Sequence, residues 1–327
     1  MLMNIHSLEN ASKEYINQIC ERYGIKPENL SFIGGLENFV YAFQKNNRDY
    51  ILRIGYDSHM SFDLVQAEID WILYLTKGNV PVVRPIPSSK GAFVEKIDIE
   101  GTDTYLNAVA FEKAKGQHLD HHDPRKWNEE FIKQWGKIVG RMHVLAKDYT
   151  PKSAKRYEFN PQVDVQELLA HEEKETIDRI STIFQNLEKL PKTKDSFGLI
   201  HSDLHAGNFL VEENSITAIL DFDRACYKWF ISDVAIALYY PLYMSQLQNS
   251  QKAQKEFIGY FLPLFWEGYE SENRLEPFWK DTLNTFITVR DAILYMYLPR
   301  ADQFRRDLES IKRRIIGKDP YIDVQGK

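Results

Sequence analysis

Two closely spaced stretches set this chain apart from an ordinary globular sequence: His201-Ser202-Asp203-Leu204-His205-Ala206-Gly207-Asn208-Phe209-Leu210-Val211, then Ala218-Ile219-Leu220-Asp221-Phe222-Asp223. Asp203 and Asn208 bracket a short step containing Gly207, so a loop can point both side chains into one pocket. Leu210-Val211 and Ile216 to Leu220 read as a hairpin around Glu212 to Asn214. Asp221 leaves the end of that hairpin and can return to the same pocket. Two carboxylates and an amide oxygen at one point make a hard-oxygen site suited to Mg²⁺. A lone His-x-Asp is usually a turn whose Asp bonds to backbone, and Asp-Phe-Asp alone says equally little. Both in this order are far more selective.

Upstream, the pattern is that of strands. Leu30 to Ile33, Phe39 to Phe43, Tyr50 to Ile54, Ala92 to Ile97 and Tyr105 to Phe111 fit, and Asn46-Asn47-Arg48 is good hairpin-turn chemistry. Leu8 to Tyr23 reads as an amphipathic helix with Ile16, Ile19 and Cys20 on one side. Ser61 to Thr76 repeats Phe62, Val65, Ile69, Ile72 and Leu75 at helical spacing, with Gly78 near its end. Val80 to Pro87 holds three prolines and reads as a loop or edge strand.

Downstream the chain is mainly helical. Trp127 to Lys147 places Phe131, Trp135, Ile138, Val139, Met142 and Leu145 on one face. Further helices are expected over Asp164 to Leu190, Ile231 to Leu247, Lys252 to Trp266, Glu276 to Tyr297 and Asp302 to Ile316. Gly317 to Lys327 reads as a frayed tail. A sheet-rich part followed by a helical part is α+β rather than alternating βαβ. The expected division is an N-terminal lobe over 1–113, a sheet with one inserted helix, and a helical lobe over 114–327. A connector near Glu112 to Gly116 would leave a cleft, where small-molecule sites tend to lie.

Composition narrows the class. At roughly 150 residues per domain, 327 residues suggest two domains or lobes. Hydrophobic residues at 43% and charged residues at 27% exclude a disordered chain, a collagen and a coiled-coil rod. Two distant cysteines, Cys20 and Cys226, exclude a disulfide scaffold and a CxxC zinc site, and fit a cytoplasmic protein. A net charge of -6 with scattered basic residues argues against nucleic-acid binding. Met1 to Ser7 has no basic region leading into an apolar run, so no signal peptide is expected. The apolar run Val234 to Met244, interrupted by Pro241, is shorter than the roughly 20 residues that span a bilayer.

The sequence resembles the aminoglycoside phosphotransferase and choline kinase superfamily, which shares the protein-kinase-like fold. The resemblance rests on His201-x-Asp203-x-x-x-x-Asn208, on Leu220-Asp221-Phe222-Asp223 and on Ser232-Asp233-Val234-Ala235, and runs from about Ser31 to about Tyr240. It implies transfer of the γ-phosphoryl group of ATP, with Mg²⁺, to a hydroxyl of a small molecule. Asp203 would take the hydroxyl proton, and Asn208 and Asp221 would hold Mg²⁺. Asp223 stands where many kinases have glycine; it could touch a second metal or cap a turn. His201 would orient the loop backbone, and His205 would fill the loop or face the substrate.

On the nucleotide side, Gly34-Gly35 lets backbone N–H groups approach a phosphate, although Gly-Gly also marks an ordinary hairpin. The loop resembles that of the superfamily, with Asn38 and Tyr41 in place. Arg53 on the third strand would contact the α- and β-phosphates, and Glu68 in the following helix would pair with it. Phe111-Glu112-Lys113 falls where the connector should be, with the Glu112 and Lys113 backbone against the adenine edge.

Tyr227, Trp229, Phe230, Tyr239, Tyr240, Tyr243 and Trp266, with nearby acidic residues, would suit a cationic acceptor such as an amino alcohol, amino sugar or amino acid. The same aromatic stripe also fits a plain helical core. The Asp-Phe-Asp turn and the aromatic helix after it resemble bacterial homoserine-kinase-like members. Competing readings are a protein Ser/Thr kinase, against which there is no Ala-Pro-Glu segment or long activation loop, and a non-catalytic pseudokinase. A metal hydrolase would need paired-histidine spacing that is missing here.

Overall fold

A computed structural model describes residues 8–35, 38–152, 154–160, 165, 167–213 and 215–324. The expectations for Met1 to Ser7, for Leu36 and Glu37 of the glycine loop, for the Asn214 turn, for the Asp164 helix start and for the last three residues lie outside them. The class is α+β, as the sequence suggests. The chain divides into two compact units. The first holds Met1–Gly116, Thr150–Arg156 and Thr217–Asp223; the second holds Gln117–Tyr149, Tyr157–Ile216 and Arg224–Lys327. The expected 1–113 lobe is thus one part of a unit that two later segments join.

The first unit begins with helix α1 (Leu8–Tyr23). An antiparallel sheet follows, from β1 (Ser31–Gly34), β2 (Phe39–Lys45), β3 (Arg48–Tyr56), β4 (Pro85–Ile86), β5 (Glu95–Asp98) and β6 (Tyr105–Glu112). The order is β1-β2-β3-β6-β4, with β5 also on β6. Asn46 and Asn47 both take positive φ, 52° and 58°, the backbone a tight two-residue hairpin needs. Strand alternation sends Leu52 and Ile54 of β3 into a core with Ile19, Cys20, Tyr23 and Phe43. Arg53 between them therefore faces the opposite side. There lies α2 (Phe62–Lys77), capped by Ser61 and burying Val65, Glu68, Ile69 and Ile72. Ile219 joins this unit by bonding to Pro81 and Val83 backbone, which carries Asp221 and Asp223 with it.

The second unit contains β7 (Gln117–His118), α3 (Glu129–Asp148), α4 (Lys174–Glu188), β8 (Phe197–Ile200), β9 (Phe209–Glu212) and β11 (Cys226–Trp229). The chain leaves it within β10 (Ser215–Ile219). Then come α5 (Ile231–Tyr243), α6 (Gln251–Glu270), α7 (Pro277–Asp281), α8 (Leu283–Tyr297) and α9 (Arg305–Ile315). β8 pairs antiparallel with β11, and β7 with β9.

Three expectations change. The helix expected over Glu276 to Tyr297 breaks at Thr282 into α7 and α8. The stretch expected as one helix from Asp164 is helical at Val165, Glu167 and Leu168, turns at Leu169 and Ala170, and is helical again as α4 from Lys174. The expected frayed tail is docked: Ile322 and Val324 are buried, and the Tyr321 hydroxyl donates to Asp291 at 2.6 Å. Apolar residues at 322 and 324 and a buried carboxylate to receive Tyr321 hold it down. Among the described residues no helix is long and apolar enough to cross a membrane.

The core of the second unit is aromatic. Trp135 packs edge-on to Phe209, Phe261 and Phe265. Helices α3 and α6 approach closely because Gly136 and Gly268 carry no side chain there. A Cβ on Gly136 would lie 2.0 Å from the Phe265 carbonyl oxygen, and one on Gly268 would lie 1.9 Å from that of Lys133. Gly136→Ala should therefore destabilise the chain by about 1–3 kcal/mol in urea unfolding, despite alanine's better helix propensity. Gly259→Ala, on the exposed side of α6 with open space around it, should gain up to about 1 kcal/mol; equal midpoints for the two would refute the close-packing account.

Candidate active site

In the first unit, Arg53 and Glu68 meet through two parallel hydrogen bonds, Nη1 to Oε1 at 2.8 Å and Nη2 to Oε2 at 2.7 Å. Glu68 is 1% exposed, so the pair is a buried fork. Burial works against the Arg53 charge, and Glu68, helped by Asp221 and Asp223, more than restores it. The guanidinium also lies 5.5 Å from the centre of the Phe111 ring.

Asp221 is exposed and takes φ of +62°, while Phe222 beside it is fully buried and anchors the turn. Crowding by protein and then by Asp223 pushes the Asp221 carboxyl up to about 8, while Arg53 pulls it down. The two carboxyls are hydrogen-bonded to one another. A pair of adjacent carboxyls short of positive charge, one of them exposed, is a donor set that fits a hard divalent cation. Asp223 is held from behind. Its carbonyl accepts from Arg156, which also donates to the Leu64 carbonyl at 3.0 Å, and its carboxylate lies 3.6 Å from His59 Nε2. Arg156 is 2% exposed and had no signal in the sequence, because it stands alone between helices.

Gly34 and Gly35 have φ of 137° and 138°, values that disfavour any side chain. A Cβ on Gly35 would lie 1.7 Å from the Asn38 carbonyl oxygen. The Asn38 side chain lies over Gly55, and Asn38, Arg53 and Gly55 line one small cavity of about 10 Å³. Glu112 and Lys113 have spent their backbone N–H groups on Arg84 and Asp49 carbonyls, at 2.8 and 3.1 Å.

In the second unit, the loop after β8 is built on Asp233. This carboxylate, fully buried in the first turn of α5, accepts from Ser202 N at 2.8 Å and His201 N at 3.2 Å. Ser202 takes φ of +65°, a strained conformation that these bonds hold. His201 Nδ1 accepts from Asp203 N at 3.3 Å, so His201 orients backbone. Asn208 Nδ2 donates to the Asp203 carbonyl at 2.9 Å, which leaves the amide oxygen as the free end. His205 Nδ1 accepts from Gly207 N at 3.0 Å, and burial pushes this imidazole down to about 4, so it is neutral and carries its hydrogen on Nε2.

The Asp203 carboxylate is 24% exposed. Its Oδ1 accepts from Arg290 and from the Tyr240 hydroxyl, the latter at 3.3 Å. Arg290 lies far along the chain on α8, and sequence reasoning missed it. Of the expected acceptor aromatics, Trp229, Phe230 and Tyr239 are core, each 2% exposed or less. Tyr240 bonds Asp203, and Arg290 already covers its ring at 5.3 Å. The expected residues thus fall into two groups: Gly34, Gly35, Asn38, Arg53, Glu68, Glu112, Lys113, Asp221 and Asp223 in the first unit, Asp203 and Asn208 in the second.

Comparison with known proteins agrees with these motifs. A model of the phosphotransferase enzyme family matches residues 30–269. Amicoumacin kinase of Bacillus subtilis (strain 168) is 32% identical over 287 residues, 86% of this chain and 83% of that protein. Homoserine kinase of Methylobacillus flagellatus is 20% identical, over 62% of this chain and 60% of that protein. A solved structure of amicoumacin kinase hAmiN in complex with AMP-PNP, Ca²⁺ and Ami superposes with a TM-score of 0.86 at 27% identity, covering 99% of each chain.

The Asp233 network has a measurable pH signature. His143, fully buried and stacked on Phe230, bonds Asp233 through Nε2 at 3.3 Å and Tyr269 through Nδ1 at 2.9 Å. Asn273 donates to the Tyr269 hydroxyl, so that hydroxyl donates on to Nδ1, and Nε2–H serves Asp233. Burial lowers the His143 pKa, opposed by Asp233 and aided by Lys147. The folded chain therefore keeps His143 neutral where the unfolded chain protonates it, and stability is lost as pH falls below about 6.5. Thermal melting from pH 7.5 to 5.5 should show this loss, and His143→Gln should show a flatter slope. Parallel curves would remove His143 from that role.

Proposed function

The chain belongs to the phosphotransferase enzyme family, and we propose that it uses ATP and Mg²⁺ to phosphorylate a hydroxyl of an amino-bearing small molecule. It is a phosphotransferase with an alcohol group as acceptor. The observation that carries the finer reading is the loop after β8. There the Asp203 carboxylate stays partly exposed while the Asn208 amide nitrogen is tied back to the Asp203 carbonyl.

Each residue type suits its task. Phosphoryl transfer has a loose transition state, so the protein mainly positions groups and balances charge. Asp203 accepts the proton of the acceptor hydroxyl as its oxygen bonds to phosphorus. Arg53, its rotamer held by Glu68, presents a permanent cation to nucleotide phosphates, beside the backbone of Gly34-Gly35. In the first unit Asp221, with Asp223 beside it, would hold the metal, and in the second unit the Asn208 amide oxygen is the candidate metal ligand. When bound, Mg²⁺ supplies charge neutralisation for the phosphates.

For the acceptor, amicoumacin comes first, because the match to amicoumacin kinase covers most of both chains. Hydroxy-amino acids and amino alcohols follow, then sugars and aminoglycosides. The Arg290 guanidinium over Tyr240 counts against a free ammonium at that ring.

The test is ADP release from Mg-ATP across these acceptor classes, with a generic protein substrate included. Asp203→Asn should keep Mg-ATP binding and lower turnover by about 10²–10⁴-fold. Asp221→Ala should weaken Mg-ATP binding itself in titration calorimetry. Release that is insensitive to Asp203→Asn would defeat the reading, and mutant-sensitive labelling of the protein substrate would move it to a protein kinase.

A further inference from the structure

Arg290 is 7% exposed and spends its charge at one place. Its guanidinium donates to Asp203 Oδ1 and to the Tyr240 hydroxyl, with a longer contact to the Ser202 carbonyl at 3.5 Å. Tyr240 donates to the same Asp203 oxygen. Both clamping groups meet Oδ1; no described residue bonds Oδ2.

Arg290 does not reach Asp203 by chance of a flexible stem. Its neighbour on α8, Asp291, is fully buried and takes a two-bond fork from Arg314, Nε to Oδ2 and Nη2 to Oδ1, both at 2.7 Å. Tyr239 and the docked-tail residue Tyr321 donate to the same carboxylate. Adjacent residues on a helix point about 100° apart. Fixing Asp291 against α9 and the tail therefore fixes the rotation of α8 and sends Arg290 towards the Asp203 loop.

We propose that Arg290, seconded by Tyr240, is the positioning residue for the Asp203 carboxylate, holding Oδ1 so that Oδ2 is the oxygen presented to the acceptor hydroxyl. The proposal rests on Asp203 acting as the base. In the step, the acceptor O–H proton passes to Oδ2 as the new O–P bond forms, and the bond from the γ-phosphorus to the bridging oxygen breaks with its electron pair left on ADP. A buried arginine is suited to this work because it stays charged and its planar fork fixes direction as well as distance. A purely structural ion pair would stabilise the fold without affecting the chemical step.

The experiment compares Arg290→Ala, Arg290→Lys and Tyr240→Phe with the wild type in the full chain. With Mg-ATP and acceptor saturating, Arg290→Ala should lower kcat by about 10²-fold, the scale of a misplaced reacting group, while nucleotide affinity changes less than about threefold. Added guanidinium at non-denaturing concentration should restore part of the loss. Arg290→Lys keeps the charge without the fork and should still lose about tenfold, which preserves the test if the alanine variant does not fold. Tyr240→Phe should lose less than either. Unchanged kcat, or a loss confined to the acceptor KM, would overturn the proposal and leave Arg290 as a structural or acceptor-binding group. Crystal structures provide a readout independent of activity: the Asp203 carboxylate should occupy one rotamer in the wild type and several in Arg290→Lys. A single unchanged rotamer would overturn the clamp. If Asp203 loosens but the wild type phosphorylates no acceptor, the kinase reading fails and the clamp stands.

Discussion

The second unit turns on one buried carboxylate. Asp233 accepts from the backbone of His201 and Ser202, and it is what allows Ser202 to sit at a positive φ. A loop built only from its own local bonds would relax, since a non-glycine residue in that conformation costs of order 1–3 kcal/mol. Asp233 is itself satisfied by His143, which is satisfied by Tyr269, which is satisfied by Asn273. The chain of partners explains why so polar a group can sit in an interior of Phe and Trp rings. Leaving any one member unpaired would expose the full desolvation cost of the next.

The first unit uses a different device for the same problem. Its charges are concentrated rather than spread: Arg53 and Glu68 neutralise one another inside the sheet–helix layer, while Asp221 and Asp223 crowd together nearby. Arg156 fastens that crowded turn to the start of α2 by donating to carbonyls of Asp223 and Leu64. The arrangement concentrates negative charge at Asp221, the exposed member. Such a point gains most from a cation, which is why the donor set suits the metal role proposed for it.

How much of this was legible depends on how local each signal is. Asp203 and Asn208 were found because they share one short loop, and Asp221 with Asp223 because they share a turn. Arg53 and Glu68 could be paired because the family resemblance implies a strand-to-helix ion pair, and the structure puts both on facing sides of neighbouring elements. Arg290 could not, because 87 residues separate it from Asp203 and α8 carries no motif. The aromatic residues misled for the opposite reason. Tyr239 and Tyr240 are neighbours with the same chemistry, yet one joins the Asp291 network and the other meets Asp203. The docked tail reads as frayed in the sequence because its anchors, among them Tyr321, Ile322, Asp323 and Val324, form a short mixed stretch whose partners lie on other helices.

By itself, the sequence determined the α+β class, the strands and inserted helix of the first unit from β1 to β3 and at β5 and β6, the glycines of the Gly34-Gly35 turn and the identity of the loop carboxylates. These follow from periodicity and from backbone sterics, both of which act over a few residues. Only the tertiary structure decided which oxygen of Asp203 is held and which is free, which way the Asn208 amide points, and which polar groups are buried with partners. Those outcomes are set by hydrogen-bond satisfaction in a packed interior, where the partner can come from anywhere along the chain.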